Sequence, residues 1–346
     1  MTPPAISVVL PVRNAQCHLR EAIDSILAQT FGDFELITVD DASADESPDI
    51  IRSYRDPRIV SGGHRDHRGL AAALNRGLAM ARGALIARQD ADDVSVPTRL
   101  EEQAQAMASC PDLAILGSAY QLIDEHGVTL TTMRPPPSDG GIRWKMLFDN
   151  AFCHTSVMLR TDILRRAGLA YAQSFEYAED FHLWSQLLDH GKGRNLDRAL
   201  VKHRVHSEQI SRVYAHRQQA GADRLAFAAL TRLGLDLTPA DAAALRQWHR
   251  RWPPSLTPCD LRHARLLLQA LNLFERRYRE VALARSVRTW YLRRLLRPAS
   301  ARRLGLLPTS QLLASVLWNS AFSWLFPVRR PFRPAAAAFP PKWTSP

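Results

Sequence analysis

The acidic residues of the chain gather in three places that could do chemistry: Asp40-Asp41, Asp90-Ala91-Asp92-Asp93 and Glu179-Asp180. Packed at one edge of a fold, the first two groups would repel each other unless a cation or hydrogen-bond donors compensate. A hard divalent ion that accepts carboxylate oxygens while also holding substrate phosphates answers that need. Structural uses compete with this reading. A carboxylate at a strand end serves as readily as a helix cap, which for Asp93 means the helix expected near Pro97. Glu179 and Asp180 could do no more than favour the N-terminus of a helix reaching Trp184.

The elements that must position these residues follow from the apolar pattern. Residues 6–12 are a short apolar run rich in β-branched side chains and read as a buried strand. Leu19, Ile23, Ile26 and Leu27 recur at helical spacing, with a stop near Thr30-Phe31-Gly32. A second strand at 34–39 ends at Asp40-Asp41. A helix starting near Ser43 places Ile50 and Ile51 inward. A third strand around 58–60, a helix over 71–81 and a strand at 85–87 then run into Asp90. This order is that of a parallel sheet covered on both faces. Ligands of such sheets bind beyond the carboxyl ends of the strands, where Val12-Arg13-Asn14, Asp40-Asp41 and Asp90-Ala91-Asp92-Asp93 all lie.

Downstream, Pro97 suits the first turn of a helix continued by Leu100, Gln103, Ala104 and Met107. The pattern predicts strands at 114–117 and 120–133, the second around a turn at 124–127. It also predicts helices at 142–148 and 179–188 and a strand at 157–159. The sheet domain is expected to end near residue 212.

A chain of 346 residues can bury a substantial core. Its 46% hydrophobic and 23% charged content is that of a folded soluble protein. Cys17, Cys110, Cys153 and Cys259 lie far apart and form no CxxC pair, so neither zinc nor a disulfide framework is indicated. The N-terminus lacks the basic-then-apolar pattern of an export signal, and a cytoplasmic location is expected. The formal charge of +11 divides unevenly: residues 201–346 carry 25 Lys and Arg against 7 Asp and Glu, residues 1–200 carry 20 against 27. The basic part could face anionic lipid, an acidic polymer or nucleic acid, or form an arginine-rich solvated surface.

Three regions result: a sheet domain at 1–212, a basic helical region at 213–300, and an apolar segment with a Pro/Ala-rich tail at 301–346. In the second, Leu266-Leu267, Leu271, Phe274 and Tyr278 recur at helical spacing, as in helices packed on a neighbour or lying on a membrane surface. Residues 312–326 are apolar, and residues 304–307 would lengthen the run, but Pro308, Gln311 and Asn319 interrupt it. A spanning helix needs about 20 apolar residues, so interfacial docking is expected ahead of spanning, on the inner face of the membrane.

Taken in order, these segments resemble the family-2 glycosyltransferases and their GT-A fold. Ser7-Val8-Val9-Leu10-Pro11-Val12-Arg13-Asn14-Ala15 is similar to that family's first strand and loop. Ser25-Ile26-Leu27-Ala28-Gln29-Thr30-Phe31 and the segment from Phe34 through Asp40-Asp41-Ala42-Ser43 are similarly typical. Residues 69–83 resemble the helix before the metal-binding strand. Asp90-Ala91-Asp92-Asp93, Pro97, Arg99-Leu100 and Gln103 match the DxD segment and its following helix. Cys153-His154-Thr155-Ser156-Val157-Met158-Leu159-Arg160 resembles the acceptor-side strand, and Ala178-Glu179-Asp180-Phe181-His182-Leu183-Trp184 the segment with the catalytic carboxylate. The likeness covers residues 5–212 in order and spacing. It implies an α/β fold with a Rossmann-like, mostly parallel central sheet flanked by helices, followed here by a mainly helical basic region.

The resemblance also implies roles. Pro11 and Arg13 line the nucleotide pocket, where the family often has an aromatic in place of Arg13. Asp41 reads the base by accepting the N3–H of a uracil-like ring, with Asp40 as its alternate. Asp90 contacts the ribose or donor sugar, Asp92 binds Mg2+ or Mn2+, and Asp93 supports the metal or sugar hydroxyls. Asp180 is the general base that takes the proton of an attacking hydroxyl, and Glu179 holds the loop or the acceptor. His206, Gln209 and Ser211 resemble a late segment closing over the donor, with His206 a metal ligand or diphosphate contact; His154 is either a buried hydrogen-bonding residue or catalytic.

The expected activity is inverting transfer of one sugar from a nucleoside-diphosphate sugar, a UDP-sugar first, to a glycan or glycolipid acceptor in surface polysaccharide synthesis. A processive synthase would share the domain, but its QxxRW segment is off by one residue in Gln247-Trp248-His249-Arg250-Arg251-Trp252. A nucleic-acid-binding protein would need a recognition module or stacking surface that the chain lacks. A non-catalytic carbohydrate-binding protein is disfavoured by the acidic trio together with Asp180.

Overall fold

The computed structural model describes residues 2–206, 214–250 and 260–280, with scattered positions up to 289. Gln209, Ser211, Arg251-Trp252, Cys259, residues 312–326 and the Pro/Ala-rich tail lie outside the described residues. The first part alternates strand and helix: β1 (Ile6–Val12), α1 (Leu19–Leu27), β2 (Phe34–Asp41), α2 (Ser47–Ser53), β3 (Ile59–His64), α3 (Leu70–Met80) and β4 (Leu85–Arg88). Next come β5 (Val94–Ser95), α4 (Arg99–Ser109), β6 (Leu113–Ile123), β7 (Thr129–Met133), α5 (Asp139–Lys145), β8 (Met158–Arg160), α6 (Thr161–Arg166), α7 (Glu179–Leu187) and β9 (Lys192–Arg204). Three helices follow: α8 (Ala215–Leu233), α9 (Pro239–Arg250) and α10 (Asp260–Tyr278).

The strands form one sheet ordered β3-β2-β1-β4-β8-β6-β9-β5, with β7 paired to β6. β1 runs parallel to β2 and β4, and β2 parallel to β3. Short β8 opposes both β4 and β6, whereas β6 and β9 are parallel. β1 is an unbroken apolar run because both its faces are covered. Val8 and Leu10 pack with Ile23, Ile26 and Leu100 on one side, and Val9 packs with Ala73 and Leu74 on the other. The register sets Val12 opposite Asp40 and Val9 opposite Arg88, so three strands deliver their ends to one edge.

Four differences from the sequence pattern have physical causes. The stretches at 114–117 and 120–133 are not separate strands: β6 runs unbroken through Leu113–Ile123, and only the return strand β7 follows the turn closed by Gly127 N–H on the Asp124 carbonyl (3.0 Å). α5 starts ahead of the apolar signal because Ser138 caps it, its Oγ accepting from Gly141 N–H at 3.3 Å. β9 was invisible to the apolar pattern because exposed Lys192 and Arg194 alternate with buried Gly193 and Asn195, exposed Asp197 and Arg198 follow, and Arg204 is itself a buried charge. The two-residue β5 is too short to show any pattern.

The three helices α8, α9 and α10 present an apolar stripe that finds a neighbour in the sheet domain. Trp144, Leu147 and Phe148, from α5 and the turn after it, share a core with Leu230, Leu245, Leu267, Leu271 and Phe274. Among the described residues no helix is long and apolar enough to cross a membrane.

Gly77 marks a close approach of α3 to the sheet, since an added Cβ there would run into Cγ1 of Val9. Val9 is stiff and buried on a central strand, so the helix would have to lift. Gly77→Ala is expected to destabilise the protein by about 1–3 kcal/mol, read as a lower urea midpoint.

Candidate active site

The turn Asp90–Asp93 is held from below by a buried arginine. Arg99, at the start of α4, is completely buried. Its Nη1 donates to Gln89 Oε1 (2.9 Å) and Ser95 Oγ (2.9 Å), its Nη2 to the carbonyls of Arg88 (2.7 Å) and Val157 (3.3 Å), and its Nε to Gln103 Oε1 (3.1 Å). Gln89 in turn donates to the Asp93 carbonyl at 2.7 Å and the Asp90 carbonyl at 3.2 Å. Burial lowers the Arg99 pKa to about 10, so it remains a cation at neutral pH.

A second arginine holds the turn from the side. Arg204, at the end of β9, donates from Nε to the Asp92 carbonyl (2.9 Å) and from its backbone N–H to Asp93 Oδ1 (2.8 Å). Its other nitrogens reach the carbonyl of Glu125 (2.9 Å) and the Glu21 carboxylate (2.6 Å). The sequence reading gave neither arginine a role. For Arg99 a signal existed: Arg99, Gln103 and Met107 share the inward side of α4 at four-residue spacing.

The three carboxylates can bring oxygens within 4.8 Å of one another, but their duties differ. Asp93 is fully buried, with Oδ1 on Arg204 N–H and Oδ2 on His203 Nδ1 at 2.9 Å. It does not cap α4, which starts after Thr98. Each Asp93 oxygen carries one contact from the chain, so Asp93 is a strut of the turn that keeps an acceptor site on each oxygen. Asp90 is ion-paired with buried Arg88. Burial, with the charges of Asp93 and Asp92, still raises its carboxyl to about 6 against the pull of Arg88. Asp92 meets His206 Nε2 at 3.1 Å, and despite burial its carboxyl is held below the usual range by His206 and His203. Oxygen and imidazole donors around a surplus of negative charge fit a hard divalent ion such as Mg2+ or Mn2+.

At the neighbouring strand ends, Pro11 is buried in β1 opposite Val39, and Arg13 Nη1 donates to the carbonyls of Asp41 (2.6 Å) and Ala42 (3.1 Å). Asn14 and Ala42 both adopt positive φ (48° and 57°), turning the two loops toward each other. Asn14 Oδ1 then accepts from Ala44 N–H at 2.8 Å, and Asn14 N–H donates to Ser43 Oγ at 3.0 Å.

Asp41, the carboxylate expected to read the base, is engaged by four groups of the chain itself. His64 and His67 approach its two oxygens at 2.8 and 2.7 Å, and the backbone N–H groups of Arg68 and Gly69 donate at 3.0 and 2.8 Å. Four contacts fill the acceptor sites of a carboxylate. Gly69, at φ +88°, is the residue type that lets the chain present these amides. Asp40 is half-buried and receives only a long contact from Ser43 N–H (3.4 Å), so it is the carboxylate left with acceptor capacity.

Asp180 is the second residue of α7, and Asp180 Oδ2 accepts from Asn150 Nδ2 at 2.7 Å. Burial raises its carboxyl to about 6, with Phe181 N–H, Arg88 and Asn150 pulling the other way. Glu179 is raised further by burial and by Asp180. His154 is half-buried and hydrogen-bonded: its Nε2 meets Tyr171 Oη at 3.1 Å, and its ring packs against Trp184. Burial drives its pKa well below the ordinary value, so it is a neutral imidazole.

The sequence profile of Glycosyl transferase family 2 matches residues 7–168. The putative glycosyltransferase EpsE of Bacillus subtilis is 35% identical over 214 residues, covering 60% of this chain and 76% of that protein. The O-antigen biosynthesis glycosyltransferase WbnJ of Escherichia coli is 31% identical over 215 residues, covering 60% and 82%. Among solved structures, S. aureus TarS 1–349 in complex with UDP-GlcNAc aligns with a TM-score of 0.55 at 18% identity, covering 78% of this chain and 81% of that one. Mannosyltransferase PcManGT from Pyrobaculum calidifontis, in complex with GDP-Man and Mn2+, aligns at 0.52 and 18%, covering 93% and 83%. The fold is thus that of the GT-A glycosyltransferases. The chain belongs to glycosyltransferase family 2, with a relative in O-antigen biosynthesis.

The contrast between the paired carboxylates of β2 is testable. The Asp41 pKa is held below its unfolded value by the two histidines and two amides, against burial. Its stabilisation is therefore complete above the unfolded pKa of about 3.9 and is lost as pH falls through the depressed value. Asp41→Ala is expected to cost about 1–3 kcal/mol at neutral pH and to flatten this limb of acid unfolding monitored by circular dichroism. Asp40→Ala should stay within about 0.5 kcal/mol of the native protein.

Proposed function

We propose that the chain is a metal-dependent, inverting transferase that moves one sugar from a nucleoside-diphosphate sugar to a hydroxyl of a surface glycan or glycolipid. The observation carrying this is the position of Arg88. It is ion-paired with Asp90 of the acidic turn and lies close enough to lower the pKa of Asp180 and Glu179. Donor-side and acceptor-side carboxylates thus share one buried cation, as a reaction between two bound substrates requires.

In this reading Asp92 and His206 hold Mg2+ or Mn2+, with Asp90 facing the ribose or donor sugar. When bound, the ion offsets the charge that grows on the departing diphosphate. The remaining work belongs to the chain. Asp40 accepts the base N–H, with Pro11 and Arg13 lining the pocket and Asp41 fixing the β3–α3 loop. An acceptor such as Asp40 suits the N3–H of uracil, which makes a UDP-sugar the first donor to try. TarS bound to UDP-GlcNAc supports that choice, and PcManGT bound to GDP-Man makes a GDP-sugar the next. Asp180 takes the proton from the attacking hydroxyl as the new bond forms at the anomeric carbon. Its raised pKa near 6 leaves it ionised at neutral pH yet basic enough to accept a proton.

A cytoplasmic enzyme with its basic helices against an anionic inner membrane fits a lipid-linked acceptor, and nucleic acid is not an expected partner. Flotation with vesicles of anionic and of neutral lipid tests this. Anionic-selective, salt-sensitive flotation is the expected result, and equal recovery with both would remove it.

Release of nucleotide from UDP-glucose, UDP-GlcNAc, GDP-mannose and dTDP-glucose, with and without Mn2+, tests the donor side. Asp92→Ala is expected to abolish the Mn2+ dependence, and Asp180→Asn to lower turnover about 100- to 10,000-fold. Because the base must be unprotonated, turnover should rise with pH through about 6 and then level. Wild-type turnover in both variants would refute the assignment.

A further inference from the structure

The helical region packs on α7 through Ala222 and Leu225 of α8, which share a core with Ala178 and Phe181, and it reaches the Asp180 carboxylate itself through residues 148–152. Asp149 ends the turn that follows α5, its N–H donating to the Lys145 carbonyl at 2.8 Å. Two arginines of α9 hold its carboxylate: Arg246 Nη2 at 3.4 Å and Arg250 Nε at 3.3 Å. Arg246 is buried and also bridges to Asp223 of α8 at 3.1 Å, while Arg250 is further fixed by Gln219 Oε1 at 3.1 Å. Beside them, His249 lies flat on Phe148, with ring centres 4.8 Å apart and planes 16° from parallel.

The next residue, Asn150, carries the contact to the site. Its Oδ1 accepts from Phe152 N–H at 3.1 Å, which settles the orientation of the amide and leaves Nδ2 to donate to Asp180 Oδ2 at 2.7 Å. The same segment is tied at its far end, where Ala151 N–H meets Met146 Sδ at 3.3 Å. Asp149 and Asn150 are thus consecutive residues, one gripped by α9 and the other gripping the base.

We propose that Arg246 is a positioning residue for the transfer reaction: through Asp149 it fixes the Asn150 amide that aims and restrains the Asp180 carboxylate. This rests on the assignment of Asp180 as the base. It gives the basic helical region a part in turnover that does not involve a membrane. The other groups facing Asp180 are Arg88 of β4, Tyr171 and, on α7 itself, Glu179 and the Phe181 N–H, and none of them contacts the Arg246 pair.

Amide hydrogen exchange on the full-length protein tests the relay without any substrate. In Arg246→Gln, peptides spanning 148–152 and 179–183 should exchange faster, while those at 85–93 stay as in the native protein. Arg262→Gln controls for simple loosening of the helices, since Arg262 binds Asp241 at 2.9 and 2.8 Å within the bundle and does not touch Asp149. That variant should leave 179–183 unchanged. In nucleotide release from the sugar nucleotides named above, Arg246→Gln is expected to lower kcat about tenfold with donor KM unmoved. Asn150→Ala should do the same, the double variant should be no worse than Asn150→Ala, and Arg246→Lys should recover most of the loss. Native exchange at 179–183 in Arg246→Gln, or additive losses in the double variant, would overturn the proposal. Full activity in Asp180→Asn, with the exchange result as expected, would instead refute the base assignment and leave the structural relay standing.

Discussion

A guanidinium buried without a carboxylate partner is the constraint around which the site is built. The donors of Arg99 are spent on two backbone carbonyls, two side-chain amide oxygens and a hydroxyl. A buried cation solvated by neutral acceptors is tolerable only while every acceptor stays in place. Those acceptors are the end of β4, the residue before the acidic turn, β5 and the approach to β8. The same charge that would destabilise a loose core therefore forces four segments into one geometry, and the acidic turn inherits it.

The fold was legible where burial is two-sided. β1, β2 and β4 are continuous apolar runs, α1 and α3 are amphipathic, and their order alone implied the parallel half of the sheet and the edge where its strands end. The acidic turn stood out because charge placed next to a buried strand is conspicuous, whereas Asp180 was singled out only by the resemblance to the family. β9 was hidden because Gly193, Asn195 and Arg204 hold buried positions, so no apolar alternation survives. Arg99 and Arg204 were hidden for a different reason. A sequence shows that an arginine is present but not that it is dry, and both look like surface residues until the acceptors around them are assembled. The same limit applied to Asp41, whose four donors come from the β3–α3 connection and carry no local signal.

The excess of arginine downstream looks different once its partners are counted. Arg204, Arg232, Arg246, Arg250 and Arg262 each meet a carboxylate or a side-chain amide oxygen, several of them belonging to the acidic first part. The two halves of the chain, opposite in net charge, are thus electrostatically complementary within one molecule. Part of the basicity that suggested an external anionic partner is used internally to fasten the helices to the sheet domain.

The carboxylates closing β2 show how such a scaffold can diversify. One is locked by two imidazoles and two amides, and any replacement there unties the β3–α3 loop. Its neighbour bears no comparable structural duty, so it can be exchanged while the architecture stays put. On the proposed reading of Asp40, nucleotide preference and folding are encoded by adjacent residues. A lineage carrying this turn would then change the base it recognises in a single substitution, without first acquiring stabilising changes elsewhere.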